Sequence, residues 1–328
     1  MKPFATIVYT DSNTLPPLSG KSFFHSEALF RIYEKTPRLR PYMAVVCNHE
    51  GKELAHLLAV VRMRASFFPP LIYMHARIHG EGDYAEHLDA AKREELFGEM
   101  VRMLTAQLQL KVLYVEISNL DQKMFAYKHL RQAGFFPVKW MSIHNSLHSK
   151  RPEERVSNKL LQRVEKAREK GVIAKQVETD EEFADFIRLL RRHNRLKLRR
   201  FIPHEQFFRH LRDANQGKLF ITYLRDKAIG CCACALSGNN IYLWYSAFLR
   251  KTYLVYHPDT FTVWNTIKWA YEEHYDHIVF MDVGLPFMQN PFRDFILSFG
   301  GKPVSTLRWF RLSFGWLNKW LEFFFTHL

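Results

Sequence analysis

Leu113-Tyr-Val-Glu116-Ile-Ser118 is an apolar stretch closed by an acid, and eighteen residues beyond that acid stands Gly134, followed by Pro137-Val138. Val279-Phe-Met-Asp282-Val-Gly284 repeats the pattern 166 residues later, with Gly300 eighteen residues beyond its acid and then Pro303-Val304. Each copy reads as a strand, a short helix, a glycine at the helix end and a further strand. Glycine suits that end because a C-terminal helix cap often needs positive φ, which a residue without a β-carbon adopts freely. A period this long marks a duplicated α/β domain and not a solenoid.

The rest of the chain agrees with two domains, 1–150 and 151–328. Its 328 residues suffice for two hydrophobic cores, and a content of 47% hydrophobic and 15% aromatic residues excludes disorder. The net charge of +14 predicts a surface that attracts phosphate-rich partners. Met1-Lys-Pro-Phe-Ala-Thr-Ile-Val-Tyr lacks the apolar core and cleavage site of a signal peptide, and no apolar run reaches a membrane span, so a cytoplasmic location is expected. Cys47, Cys231, Cys232 and Cys234 show no disulfide or metal-ligand spacing, and the sixteen histidines are scattered, so no metal is expected.

Each half carries the same order of elements. In the first, a helix over Phe23–Tyr33 precedes a hairpin of Tyr42–Cys47 with Glu53–Arg64. A strand at Leu71–Ile78 follows, then a helix from Ala90 to Leu108 with Leu96, Met100, Met103, Leu104 and Leu108 on one side. In the second, a charged helix ends at Gly171, Lys218–Leu224 pairs with a strand to Leu236, Asn240–Phe248 follows, and the helix Thr260–Tyr271 leads into the repeated strand.

This order resembles the GNAT N-acyltransferase fold, and its duplication resembles the FemAB-like branch: mixed α/β (α+β), two tandem domains, each a mixed central sheet flanked by helices. The resemblance is carried by Lys166-Ala167 before Gly171-Val172, Gly217-Lys-Leu-Phe-Ile221, Tyr242-Leu-Trp-Tyr-Ser-Ala-Phe248, Phe280-Met-Asp-Val-Gly284 and Phe292-Arg-Asp-Phe-Ile-Leu-Ser-Phe-Gly-Gly301. It implies transfer of an acyl group to an amine, from acetyl-CoA or another acyl-CoA, with a cell-envelope precursor as acceptor in a cleft between the halves. Two alternatives stand beside it: an aminoacyl-tRNA-dependent Fem-type transferase of peptidoglycan synthesis, and a non-catalytic glycan or nucleic-acid binding module. The family's Lys-Thr-Arg opening is replaced here by Lys159-Leu-Leu161, with Arg163 as an approximate substitute, and the helical arm of many Fem enzymes is missing.

Glu116 and Asp282 end their strands, where α/β sites form, and are the candidate catalytic acids; a strand-end acid can equally cap the next loop. Arg77-Ile-His-Gly80-Glu-Gly82 spells the turn with which such enzymes hold the coenzyme A pyrophosphate, making Arg77, Gly80 and Gly82 candidate cofactor ligands, although Asp83 and Glu86 follow closely. The corresponding second-half stretch, Leu249-Arg-Lys-Thr-Tyr-Leu-Val-Tyr-His-Pro258, has no glycine. Arg199 and Arg200 are candidates for an acceptor diphosphate or carboxylate. Tyr242, Trp244 and Tyr245 are candidates for an acceptor groove, with Tyr242 and Trp244 on one face of their strand and Tyr245 on the other. The aromatic tail Trp309–Leu328 reads either as a strand and helix docked on the second domain or as a helix lying on a membrane surface.

Overall fold

The structure, a computed structural model, describes residues 4–66, 71–118, 121–194, 201–281 and 283–326. In chain order these form β1 (Phe4–Tyr9), α1 (Glu27–Glu34), β2 (Leu39–Asn48), β3 (Glu53–Ser66), β4 (Leu71–His79), β5 (Asp83–Tyr84), α2 (Ala90–Leu108), β6 (Tyr114–Ser118), α3 (Tyr127–Gln132) and β7 (Phe136–Ser146). They continue with α4 (Asn158–Glu169), β8 (Val172–Gln176), α5 (Asp180–Asn194), α6 (Glu205–Asp213), β9 (Gly217–Leu224), β10 (Lys227–Ser237) and β11 (Asn240–Phe248). Last come α7 (Pro258–Glu272), β12 (His277–Phe280), α8 (Pro291–Leu297), β13 (Lys302–Leu312) and α9 (Gly315–Thr326).

The chain forms two compact units, Met1–Trp140 with Ser305–Leu328, and Met141–Val304. In the first, the strand order is β1-β2-β3-β4-β6-β13, antiparallel except for the parallel pair β4/β6. The predicted helix α2 supplies its core face, with Leu96, Phe97, Met100, Val101, Leu104 and Leu108 buried, each worth about 1.5–3 kcal/mol in apolar transfer. Asp89 caps its start by accepting from the Lys92 backbone N–H at 2.7 Å.

The second unit has the order β7-β12-β11-β10-β9-β8, with β11/β12 as its parallel pair. Its small-residue strand β10 is packed by helices on both faces: the Cys231 thiol lies 4.0 Å from the Phe186 carbonyl of α5, while the Cys232 thiol lies 3.1 Å from the Thr266 hydroxyl of α7. Successive strand residues face opposite ways, so small side chains let both helices approach. All four cysteines are free thiols.

The repeated glycines take the conformation expected of them, with φ of 83° at Gly134 and 80° at Gly300. Where the strands after them go was not anticipated. β7 pairs with β12 in the second unit and β13 pairs with β6 in the first, so each sequence half contributes its last strand to the other unit. The tail accordingly packs in the first unit, not on the second half: Trp309 is fully buried with its ring 5.0 Å from Tyr127, and the Ser313 N–H donates to the Leu113 carbonyl at 3.0 Å.

Candidate active site

The parallel strand pairs of the two units end differently. In the second unit β11 and β12 pair, among the described residues, from Asn240/His277 to Leu243/Phe280, with the Met281 N–H on the Leu243 carbonyl at 3.4 Å. β11 nevertheless continues to Phe248, still paired with β10 on its other edge. β12 ends at Phe280, so β11 outruns it from Trp244 to Phe248. In the first unit β4 and β6 stay in register to their last residues, His79/Ser118, and the Gly80 N–H adds a 2.7 Å bond to the Ser118 carbonyl.

A bulge marks the point of divergence. Tyr245 pairs with Ala233 and Leu243 with Cys234, so Trp244 is the extra residue of a bulge. The insertion also overturns the expected alternation. Trp244 and Tyr245 both lean on Phe207 of α6, with ring centroids 5.4 and 6.1 Å away, and stack on each other at 5.5 Å. Both are buried, while Tyr242 is half-buried. Two residues past the bulge, Ser246 sits opposite Cys232 and hence on the α7 face; its buried hydroxyl has no hydrogen-bond partner among the described residues. Sequence reading did not single it out.

β11 leads through Arg250 and Lys251 to the start of α7. Pro258 opens that helix, and His257 before it adopts a left-handed φ of 44°. Arg250 reaches the buried Asp259 carboxylate at 3.3 Å. Burial, then the positive charges of Arg163, Lys170 and Arg250, lower the His257 pKa against the pull of Asp259. A helix N-terminus with three cations and one paired acid nearby carries net positive charge.

The first unit buries a charged cluster instead. Arg62 Nε donates to His75 Nδ1 at 3.1 Å, which leaves the proton of a neutral ring on Nε2, 3.0 Å from Glu116 Oε2. Burial and Arg62 push the His75 pKa down to about 3, so the ring is neutral. Glu116 Oε1 lies 3.0 Å from Arg308 Nη1 and 3.7 Å from Arg77 Nε, and Arg308 lies 3.8 Å over the Trp140 ring. Burial alone would raise the Glu116 pKa; Arg77, Arg308 and His75 outweigh it and hold the carboxyl well below its usual range. A buried carboxylate held ionised in this way is a weak base.

The candidate residues therefore separate. Glu116 and Arg77 meet in the first unit, where Arg77 also donates to the Ser118 hydroxyl at 3.2 Å. Gly80 and Gly82 do have positive φ, 84° and 90°, but the Gly80 N–H bonds Ser118 and the Gly82 N–H donates to His25 Nε2 at 3.0 Å. α2 starts only at Ala90, so that loop opens no helix for a pyrophosphate. Tyr242, Trp244 and Tyr245 lie at the β11/β12 divergence. Asp282, Arg199 and Arg200 lie outside the described residues. Between the two glycines, Glu81 was overlooked: burial raises its pKa to about 7 although it accepts the Gln122 N–H at 2.8 Å. Among the described residues no group of three or more His, Cys, Asp or Glu is arranged to hold a metal, and no helix is long and apolar enough to cross a membrane.

Residues 154–287, which include the β11/β12 divergence and α7, match the acetyltransferase (GNAT) domain family. No curated protein matches the sequence. The fold is similar to that of FemX (TM-score 0.62, 12% identity, covering 93% of this chain and 96% of that one). It is also similar to L-PGS from Bacillus licheniformis (0.58, 10%, 93% and 93%) and to a tandem GNAT protein from the clavulanic acid biosynthesis pathway (0.56, 10%, 95% and 99%). At these identities the likeness is one of fold. Residues 154–287 thus match the acetyltransferase (GNAT) domain, and the chain shares its fold with FemX and a tandem GNAT protein.

Proposed function

We propose that the protein is an N-acyltransferase whose acyl-CoA donor binds in the second unit, beyond Leu243, where β12 ends and β11 runs on. The unequal ending of the two parallel strand pairs carries this reading. An amide-bearing pantetheine arm needs main-chain partners, and the place where two parallel strands separate is where such an arm can meet main chain. Its pyrophosphate needs positive charge, which the start of α7 with Arg163, Lys170 and Arg250 supplies without a glycine-rich turn.

In the proposed reaction the acceptor amine attacks the thioester carbonyl, its proton passes to a base, and the C–S bond breaks as the coenzyme A thiolate leaves and is protonated. Main-chain groups around the Trp244 bulge and the Ser246 hydroxyl are the proposed partners of the donor's carbonyl and amides. Asp282, two residues beyond β12, is the proposed base, and Glu116 orders charges in the first unit. Arg199, Arg200 and Tyr242 are proposed to meet the acceptor, an amine on a cell-envelope precursor, whose anionic groups suit a chain of charge +14.

Calorimetric titration with acetyl-CoA and longer acyl-CoAs tests the donor assignment. Saturable binding weakened about tenfold by Arg250→Ala together with Arg163→Ala is expected, on the order of 1.4 kcal/mol. Wild-type protein that binds no acyl-CoA would move the donor to an aminoacyl-tRNA.

A further inference from the structure

Helix α9 presents its apolar side outward. Its inner positions are fixed to the first unit: the Asn318 side chain donates to the Gly134 carbonyl at 3.0 Å and accepts from the Leu312 N–H at 2.8 Å, Glu322 pairs with Arg131, and Phe325 stacks on Phe136 at 6.2 Å. The outward positions, at helical spacing, are Trp316, Lys319, Trp320, Phe323 and Phe324, with Phe314 just before the helix. Trp316 is 74% exposed, Trp320 62% and Phe323 66%, and the Trp320 and Phe324 rings stack on each other in the open at 6.3 Å. A helix docked on a globular unit ordinarily turns charge to water; here the outward stripe is aromatic, with one lysine and no acid.

We infer that this stripe is a membrane-interface surface that seats the protein on an anionic lipid bilayer. Three observations select that occupant. Tryptophan and phenylalanine are the residues that settle at the boundary of headgroups and acyl chains. The charge on and beside the stripe is positive: Lys319 lies within it, Arg311 beside Gly134 at its base, and the helix's acid Glu322 is paired inward with Arg131. Finally, at about 200 Å² per aromatic residue the stripe exposes on the order of 600 Å². That is the upper limit of an ordinary monomer patch, yet short of the ~800 Å² per partner that a stable dimer buries. Over Gly315–Thr326 the aromatic stripe runs along one side of the helix, as a helix lying in the interface plane requires. This inference does not depend on where the donor binds.

The test is flotation of the full chain with vesicles of phosphatidylcholine alone or mixed with phosphatidylglycerol, with tryptophan emission read in parallel. Wild-type protein is expected to float with the anionic vesicles with a blue-shifted emission, and added salt is expected to weaken the binding. Trp316→Ser with Trp320→Ser should lower partitioning about tenfold or more. Lys319→Glu should weaken binding to anionic vesicles and leave binding to neutral ones unchanged. These side chains point outward, so unfolding midpoints and acyl-CoA titrations of the variants should match wild type, which separates failure of this inference from failure of the donor assignment. The inference is overturned if wild type floats with neither vesicle, if the double variant floats like wild type, or if the stripe instead drives a concentration-dependent dimer in sedimentation that the double variant abolishes.

Discussion

Glu116→Gln separates a structural carboxylate from a catalytic one. Glu116 is 4% exposed, with Arg308 3.0 Å and Arg77 3.7 Å from one oxygen and His75 3.0 Å from the other. Glutamine keeps the shape and removes the charge, leaving two buried guanidiniums facing a neutral amide. Removing one partner of a buried pair costs about 3–5 kcal/mol. With a urea slope of about 2 kcal/mol per molar, the midpoint for the first unit should fall by roughly 2 M. Hydrogen exchange of the β4, β6 and β13 amides reads that unit by itself. The sign with pH follows from the depressed carboxyl pKa. The ionised cluster stabilises the fold above the unfolded-state value near 4.5, and that contribution is lost as pH falls through the lower folded-state value, so the gap between wild type and variant should narrow in acid. A variant that unfolds within about 1 kcal/mol of wild type at neutral pH yet loses acyl transfer would refute the reasoning and return Glu116 to the chemistry.

Two further outcomes follow from the packing and charges. At Gly230 an added β-carbon would lie 2.3 Å from the Thr262 hydroxyl, itself bonded to the Pro258 carbonyl at 2.6 Å, and 3.1 Å from that carbonyl; Gly230→Ala should cost about 1–3 kcal/mol in thermal unfolding and weaken acyl-CoA binding by displacing the first turn of α7. Glu81, raised to about 7, should contribute about 2–3 kcal/mol that is lost as pH rises from 4.5 through 7, seen as a difference in pH dependence between wild type and Glu81→Gln; urea midpoints with equal pH dependence in both proteins would contradict the assignment.

The duplication, the hairpins and α2 were legible because hydrophobic period and cap glycines act locally, and Gly134 and Gly300 have the backbone that their spacing required. The destinations of β7 and β13 were not, because alternation in a strand names its buried face and not the sheet that will receive it. The bulge at Trp244 escaped for a related reason: a strict two-residue period places Trp244 and Tyr245 on opposite faces, and only pairing with β10 reveals the extra residue. Arg62, His75, Arg77, Glu116 and Arg308 come from four strands, β3, β4, β6 and β13, and no sequence spacing brings them together. The spelling Arg77-Ile-His-Gly80-Glu-Gly82 says nothing of what its N–H groups bond, and the Gly80 and Gly82 N–H groups donate to Ser118 and His25.

The most direct test of the central claim, that the donor enters the second unit, is hydrogen exchange of the full chain with and without saturating acetyl-CoA. The account predicts slowed exchange in residues 244–248 and at the start of α7, with β4 and β6 unchanged. Protection confined to residues 77–82 and the ends of β4 and β6 would contradict it and place the donor in the first unit.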